Sequence, residues 1–248
     1  MSNLATLVLQ FRSPQSRPDQ ESRRLPPPKR TILPALDEFR FKGVTDYFED
    51  LLTCIDTPQL YCMKITFFNQ IDFDTPRLAQ FINRTPKLGK REARVQFDDN
   101  FARIGLLPGF STFEIAISCR EPDWQLSSIE QICNSSLQPL SALKDLYIKH
   151  QYSQLVWNND AIESTLWLQL FLPFIAVESL YLSEELASGI AAALQDLAGE
   201  GGTDVLPSLR NIFVEGLEPS GPFQKDIRQF LAARQLSNHP IAISVWRN

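Results

Sequence analysis

The 248-residue sequence predicts an α/β fold: an irregular solenoid with parallel strands on its concave face and helices on its convex face. Three copies of one pattern support this prediction, each with apolar residues at its first, fourth, seventh and ninth positions. They are LSALKDLYIK (140–149), FIAVESLYLS (174–183) and LPSLRNIFVE (206–215). The last two apolar positions alternate with other residues, as in a strand buried on one face. The equivalent residues Leu146, Leu180 and Ile212 are 34 and 32 residues apart, a spacing typical of solenoid repeats.

Charge, cysteine spacing and hydropathy limit the classes of function. The net charge of −5 gives no support for nucleic-acid binding by the whole molecule. The four cysteines form no CxxC pair and lie apart from both histidines in the sequence. We therefore expect free thiols in the reducing cytoplasm or nucleus, with no metal site. The longest apolar run, 166–177, is shorter than the roughly 18 residues of a membrane span, so no membrane association is expected.

The first predicted element is a repeat strand in residues 1–11, which begins almost at the initial methionine. A solenoid needs a shielded terminal unit, so this start predicts a chain that begins mid-array, as a fragment or a shortened gene model. Residues 12–31 are predicted to form a basic loop, because their five prolines fix φ and remove backbone donors. A local charge of +4 over residues 12–30 leaves about −9 for the rest of the chain.

Residues 32–248 are predicted to form the solenoid itself, with a strand wherever apolar residues alternate. Besides residues 1–11 and the three copies, the predicted strands are 33–43, 58–68, 93–97, 112–118 and 241–246, about nine in all. The pattern is looser in residues 98–111, where Gly105, Pro108 and Gly109 occur, and no strand is assigned there. Parallel strands need crossover connections, which the segments between them can supply.

Helices are predicted in most of these connections. Thr45 is expected to cap the first of them, and Asp74-Thr75-Pro76 has the capping residue and first-turn proline of a second. Further helices are predicted at 124–137, at 162–174, at 186–197 and from Pro222 onward. The regular alternation of strand and helix supports the solenoid prediction.

The L-x-x-L-x-x-L-x-L motif in LSALKDLYI and LPSLRNIFV resembles the leucine-rich repeat. Together with LPALDEFRFKG (33–43), LYCMKITFFNQIDFDTPRLAQFI (60–82) and ISCREPDWQLSSIEQ (117–131), it resembles the repeat portion of fungal, mushroom-type F-box proteins. This resemblance implies a substrate-recognition subunit of a ubiquitin ligase, whose F-box docks on Skp1–cullin while its repeats bind a target. The chain shows no F-box pattern before its repeats, so Skp1–cullin binding is implied only if a longer form supplies one.

One column of strand residues is the candidate binding surface. The residue between the last two apolar positions of each strand gives Val8, Arg40, Lys64, Arg94, Glu114, Tyr147, Tyr181 and Phe213. Exposed aromatic residues and arginines are enriched at interface hot spots. The predicted partner-binding residues are therefore Arg40, Lys64, Arg94, Tyr147, Tyr181 and Phe213. The same residue types also suit ordinary cross-strand packing, which is the competing explanation.

The sequence predicts no catalytic residue, metal ligand or cofactor. A nucleotide-binding α/β enzyme would also alternate strands and helices, but it needs a glycine-rich turn after a strand. The glycines at 199–202 follow a helix instead. We therefore predict a non-catalytic scaffold that binds an unidentified protein target. Two alternatives stay open: a truncated structural remnant without independent function, and an α/β enzyme with a polar pocket at the carboxyl ends of its strands.

Overall fold

The structure is a computed structural model. It describes residues 4–12, 30–70, 72–85, 87–88, 92–107, 112–135, 137–151, 162–197, 205–217 and 221–246. Residues 13–29, which make up most of the predicted basic loop, lie outside the described residues, as do the glycines at 199–202.

Strands and helices alternate along the described ranges. The strands are β1 (Thr6–Gln10), β2 (Thr31–Ile32), β3 (Glu38–Gly43), β4 (Ile55–Asp56), β5 (Cys62–Phe68), β6 (Glu92–Phe97), β7 (Phe101–Leu107), β8 (Thr112–Ser118), β9 (Asp145–His150), β10 (Ser179–Leu182), β11 (Asn211–Glu215) and β12 (Ala242–Trp246). The helices are α1 (Thr45–Cys54), α2 (Pro76–Arg84), α3 (Pro122–Ser135), α4 (Ser164–Phe171), α5 (Glu184–Asp196), α6 (Pro222–Asp226) and α7 (Arg228–Leu236), with a short 3-10 helix at Gln138–Ala142.

Ten of the strands form one open, mostly parallel sheet. Their order is β1-β3-β5-β8-β7-β6-β9-β10-β11-β12, and only the pairs β6–β7 and β7–β8 are antiparallel. The two remaining short strands, β2 and β4, pair in parallel with each other. All nine predicted strands are present, and the mixed α/β character of the prediction is confirmed.

Strand β7 was not predicted, and it changes the order of the sheet. It lies within the stretch 98–111, where the glycines and proline obscured an alternating burial pattern from Phe101 to Leu107. The tight connection at Asp98 turns the chain back on itself: its carboxylate accepts hydrogen bonds from the backbone amides of Asn100 and Phe101, both at 2.9 Å. The chain therefore runs β6, β7, β8 back toward β5, and β9 adds on the far side of β6.

The helices pack on one face of the sheet, and their apolar residues join the inward residues of the strands in a single core. At one end of the sheet this core is aromatic. The Phe48 ring of α1 lies 4.9 Å from Phe41 and 5.6 Å from Phe67, between centroids. Further along, Trp167 of α4 meets Phe97 of β6 edge-on at 6.0 Å. These buried contacts hold the helix layer on the sheet, and no helix of the described ranges lies on the other face.

The helix starts differ from the predicted caps. Helix α1 begins at Thr45, but no side-chain cap bond is made by the preceding Val44. Instead, the Gln70 amide donates to Thr45 Oγ1 at 2.8 Å and so ties the start of α1 to the end of β5. Helix α2 begins at Pro76 after Thr75, again without a side-chain cap. The segment after Pro222 forms two short helices, α6 and α7, where one long helix was predicted.

Helix α2 receives its cap from another helix. The buried Glu49 carboxylate of α1 accepts hydrogen bonds from the backbone amides of Arg77 at 2.8 Å and Leu78 at 3.0 Å. Such amides at a helix start have no partner within their own helix, and a carboxylate there also favours the helix dipole. Desolvation nevertheless raises the pKa of Glu49, although these two bonds oppose the shift.

No helix within the described ranges combines the length and the hydropathy that a membrane span requires.

Candidate partner-binding face

The register of the sheet sets the predicted column in one continuous row, which we call the central row. In spatial order it consists of Val8, Arg40, Lys64, Glu114, Gly105, Arg94, Tyr147, Tyr181, Phe213 and Ser244. It lies on the face of the sheet opposite the helices, because its residues alternate with the buried strand residues. The six predicted site residues therefore share one face, as the sequence suggested.

The row does not keep the order of the sequence. Glu114 and Gly105 separate Lys64 from Arg94, since β8 and β7 lie between β5 and β6. Three strand spacings of about 4.8 Å put these two cations on the order of 14 Å apart along the row. The predicted basic stretch is thus divided: Arg40 and Lys64 are neighbours, whereas Arg94 adjoins the aromatic residues.

The aromatic part of the row is a face-to-face stack, which we call the aromatic strip: Tyr147, Tyr181 and Phe213. The ring centroids of Tyr147 and Tyr181 are 4.2 Å apart, and those of Tyr181 and Phe213 are 4.7 Å apart, each pair tilted by 10°. These distances match the spacing between strands, so in-register rings on β9, β10 and β11 stack without distortion. The Arg94 guanidinium lies 5.3 Å from the Tyr147 ring and covers that end of the strip.

Trp246 packs against the aromatic strip, although it was not among the predicted residues. It lies on the edge strand β12, yet its indole centroid is 5.6 Å from Tyr181 and 5.9 Å from Tyr147. The Lys149 ammonium sits 4.1 Å from the same ring. Alternation along β12 could have assigned Trp246 to this face from the sequence. Its reach toward β9, across two intervening strands, depends on the side-chain rotamer and could not be inferred.

The arginines of the row are held by carboxylates on their own strands. Arg40 pairs with Glu38 at 2.6 Å and Arg94 pairs with Glu92 at 3.2 Å, each two residues away on the same face. Both arginines are partly exposed, so each pair adds little to stability. The pairs fix the direction of each guanidinium, which for Arg94 is over Tyr147.

Partial burial at the strip shifts the pKa values of Tyr147 and Lys149. Burial raises the pKa of Tyr147 to about 12, and the neighbouring Tyr181, Glu92 and Asp145 add to the shift. Burial also lowers the pKa of Lys149, with Arg94 acting in the same direction and Glu215 against it. A surface that is apolar, aromatic and partly shielded from water is suited to association.

Two concavities lie outside the aromatic strip. A small depression of about 120 Å³ surrounds Gly105, between the side chains of Arg94, Arg103 and Glu114. A larger cleft of about 470 Å³ lies beside Glu178, Arg210 and His239. It is at the amino ends of β10 to β12, whereas the enzyme alternative would require a pocket at the carboxyl ends. Within the described ranges, no three histidine, cysteine, aspartate or glutamate side chains form a group that could hold a metal ion.

Comparisons with protein-family models, with curated proteins and with solved structures gave no significant match.

Proposed function

We propose that this chain is a non-catalytic scaffold that binds a protein target through the open face of its sheet, with the aromatic strip as the centre of the contact. The observation that supports this proposal is the stack of Tyr147, Tyr181 and Phe213 on the face of the sheet opposite the described helices. Stacked rings on a solvent-facing sheet present a rigid contact surface that loses little side-chain entropy on binding. Tyrosine, tryptophan and arginine are also the residue types that dominate interface energetics.

We further propose that the fold is an irregular leucine-rich-repeat solenoid. Its support is the in-register, parallel series β9, β10, β11 and β12, whose equivalent residues repeat at 31 to 34 residues. The antiparallel strand β7 is a departure from such a repeat. In this proposal, the central row corresponds to the strand face that carries recognition in solenoids.

The resemblance to F-box repeats suggests the biological setting of this scaffold. We propose that the chain resembles the target-recognition portion of a ubiquitin-ligase adaptor and acts in the cytoplasm or nucleus. Docking on Skp1–cullin would need an F-box, which a longer form would have to supply. Neither a cofactor nor a nucleic acid is required for this function.

A capture experiment with a matched control tests the proposal. The parent chain would be compared with a triple variant, Tyr147→Thr, Tyr181→Thr and Phe213→Thr, because threonine keeps strand propensity while removing the rings. The control is Trp124→Ala, which removes an aromatic side chain that is 46% exposed on α3 in the helix layer. All three proteins must unfold cooperatively in urea before they are compared.

The expected result is a target protein that the parent and Trp124→Ala capture equally and that the triple variant loses. Photo-crosslinking from position 181 should then join the same target to the strip, whereas crosslinking from position 124 should not. A target retained by the folded triple variant would contradict the proposed site, and a folded parent that captures no target would contradict the proposed function.

A further inference from the structure

The aromatic strip ends differently on its two sides. On the β6 side, the Arg94 guanidinium lies over Tyr147. On the β12 side, the central row continues from Phe213 to Ser244, whose small side chain is exposed. Among the described residues, the ring contact of Phe213 is with Tyr181 alone. On β12, the row position next to Phe213 is thus occupied by a small, exposed serine and not by another ring.

The geometry of the strip indicates which kind of group fits this place. Ring separations of 4.2 and 4.7 Å follow the strand spacing, so a planar group above Ser244 would continue the stack at the same interval. A guanidinium is planar, weakly hydrated and attracted to the face of an aromatic ring. The contact of Arg94 with Tyr147 is an example of this interaction at the opposite end of the same stack.

Charge favours a cationic group at this end. Residues 151–248 contain eleven acidic and five basic residues, a net charge of −6. Glu215 lies two residues after Phe213 on the same face of β11. Glu215 would therefore attract a positive group bound at Phe213 and would repel a negative one.

We propose that the outer face of Phe213 binds an arginine side chain from a basic segment of the protein partner, with Glu215 beside the guanidinium. This inference rests on the proposed function and names the chemistry of the target. The bound arginine mirrors Arg94, so that the three rings lie between two guanidinium groups. Lysine would gain the same charge attraction but could not stack as a plane.

Three synthetic peptides test this inference: repeats of Gly-Ser-Arg, of Gly-Ser-Lys and of Gly-Ser-Glu, titrated into the labelled full chain and followed by backbone amide shifts. We expect the arginine peptide to bind at least about fivefold more tightly than the lysine peptide. The shifts should centre on Phe213 and Ser244, and the glutamate peptide should produce none. Phe213→Leu should remove the preference for arginine, since it keeps an apolar side chain but has no ring.

Two further variants locate the contact. Ser244→Tyr should place a ring of the chain's own in the open position and abolish arginine binding, whereas Trp124→Ala should change nothing. The inference would be overturned if the arginine and lysine peptides bound equally, if the shifts were confined to β3 and β5, or if the glutamate peptide bound more tightly. It would also be overturned if no peptide bound at all.

This inference and the proposed function can fail separately. If the triple strip variant loses its captured target while no arginine peptide binds at Phe213, the binding face stands and the arginine chemistry is wrong. If the target is captured equally by the triple variant, the proposed site is wrong whatever the peptides do.

Discussion

Gly105 lies directly opposite Arg94 across the antiparallel pair of β6 and β7. It also faces Glu114 on β8, so the central row has a gap with a charged residue on either side. An added Cβ would meet the carbonyl oxygens of Phe113 at 3.6 Å and Arg94 at 3.9 Å, which are ordinary contacts. Nothing in the backbone requires glycine at this position.

We therefore expect Gly105→Thr to stabilise the chain by roughly 0.5–1 kcal/mol, because glycine in a strand loses more backbone entropy on folding than other residues. Urea unfolding measures the change. Gly43→Ala is the matched control, since a Cβ there would lie 2.8 Å from Phe41 and 2.9 Å from Phe11. It should destabilise by about 1 kcal/mol or more through overpacking. The same sign for both substitutions would contradict this account.

Arg234 of α7 should stabilise the folded chain by its hydrogen bonds to the backbone at residues 206–209. Its buried guanidinium donates through Nη2 to the carbonyl oxygens of Leu206 at 3.2 Å, Pro207 at 3.1 Å and Leu209 at 3.3 Å. The shorter lysine side chain would place its ammonium short of the Nη2 position and would lose the planar group that lies 5.8 Å from the Phe230 ring. Arg234→Lys should therefore cost about 1–3 kcal/mol in urea unfolding. Arg228→Lys on the same helix, where the arginine is exposed, should cost almost nothing. Equal urea midpoints for the two variants would show that the hydrogen bonds of Arg234 contribute no stability.

Glu49 should give a pH dependence opposite to that of an ordinary paired carboxylate. Its pKa in the folded chain is raised by burial, so the folded state favours the protonated form relative to the unfolded state. Its contribution to stability is fully present below the unfolded pKa and is lost as the pH rises through the folded pKa. The parent should therefore lose stability relative to Glu49→Gln as the pH rises above about 4.5, the ordinary value for a glutamate. A difference that is constant with pH, or of the reverse sign, would contradict the raised pKa. Glu121→Gln, at an exposed position, is the control.

Tyr147 should make the chain sensitive to alkali. Its folded pKa of about 12 lies above the unfolded value of about 10, so its contribution to stability is lost as the pH rises through that interval. We expect the free energy of unfolding to fall less steeply for Tyr147→Phe than for the parent between pH 10 and pH 12. Ultraviolet titration should show one tyrosine fewer ionising near pH 12 in the variant. Identical slopes would mean that the phenol is not desolvated in the strip.

The strands and the composition of the central row followed from period-two alternation, which is a local property. Tyr147, Tyr181 and Phe213 could be predicted as neighbours because each lies at the same position of consecutive repeats, and the structure stacks them. Glycine at 105 and proline at 108 have low strand propensity, and this hid β7. Burial on one face of the sheet outweighs that propensity in the folded chain.

The spatial order of the row could not be predicted from the same signal. Alternation assigns a residue to a face but carries no information about which strand lies next to it. The connection at Asp98 reverses the chain through local hydrogen bonds, and this reversal separates Lys64 from Arg94. The caps were hidden for a similar reason: Glu49 and Gln70 act on residues 25 to 29 positions away in sequence.

The reversed segment β6–β8 also bears on how the chain folds. Paired residues on β9 and β10, or on β10 and β11, are 34 and 32 positions apart, so these strands can add one after another. Across the reversed segment the separations rise to 50 for β5 with β8 and 53 for β6 with β9. Closing longer loops before any contact is gained slows folding. Strands that add from either end of the sheet should therefore pair more slowly at the segment β6–β8. The pairing of β5 with β8 and of β6 with β9 should limit the rate of folding.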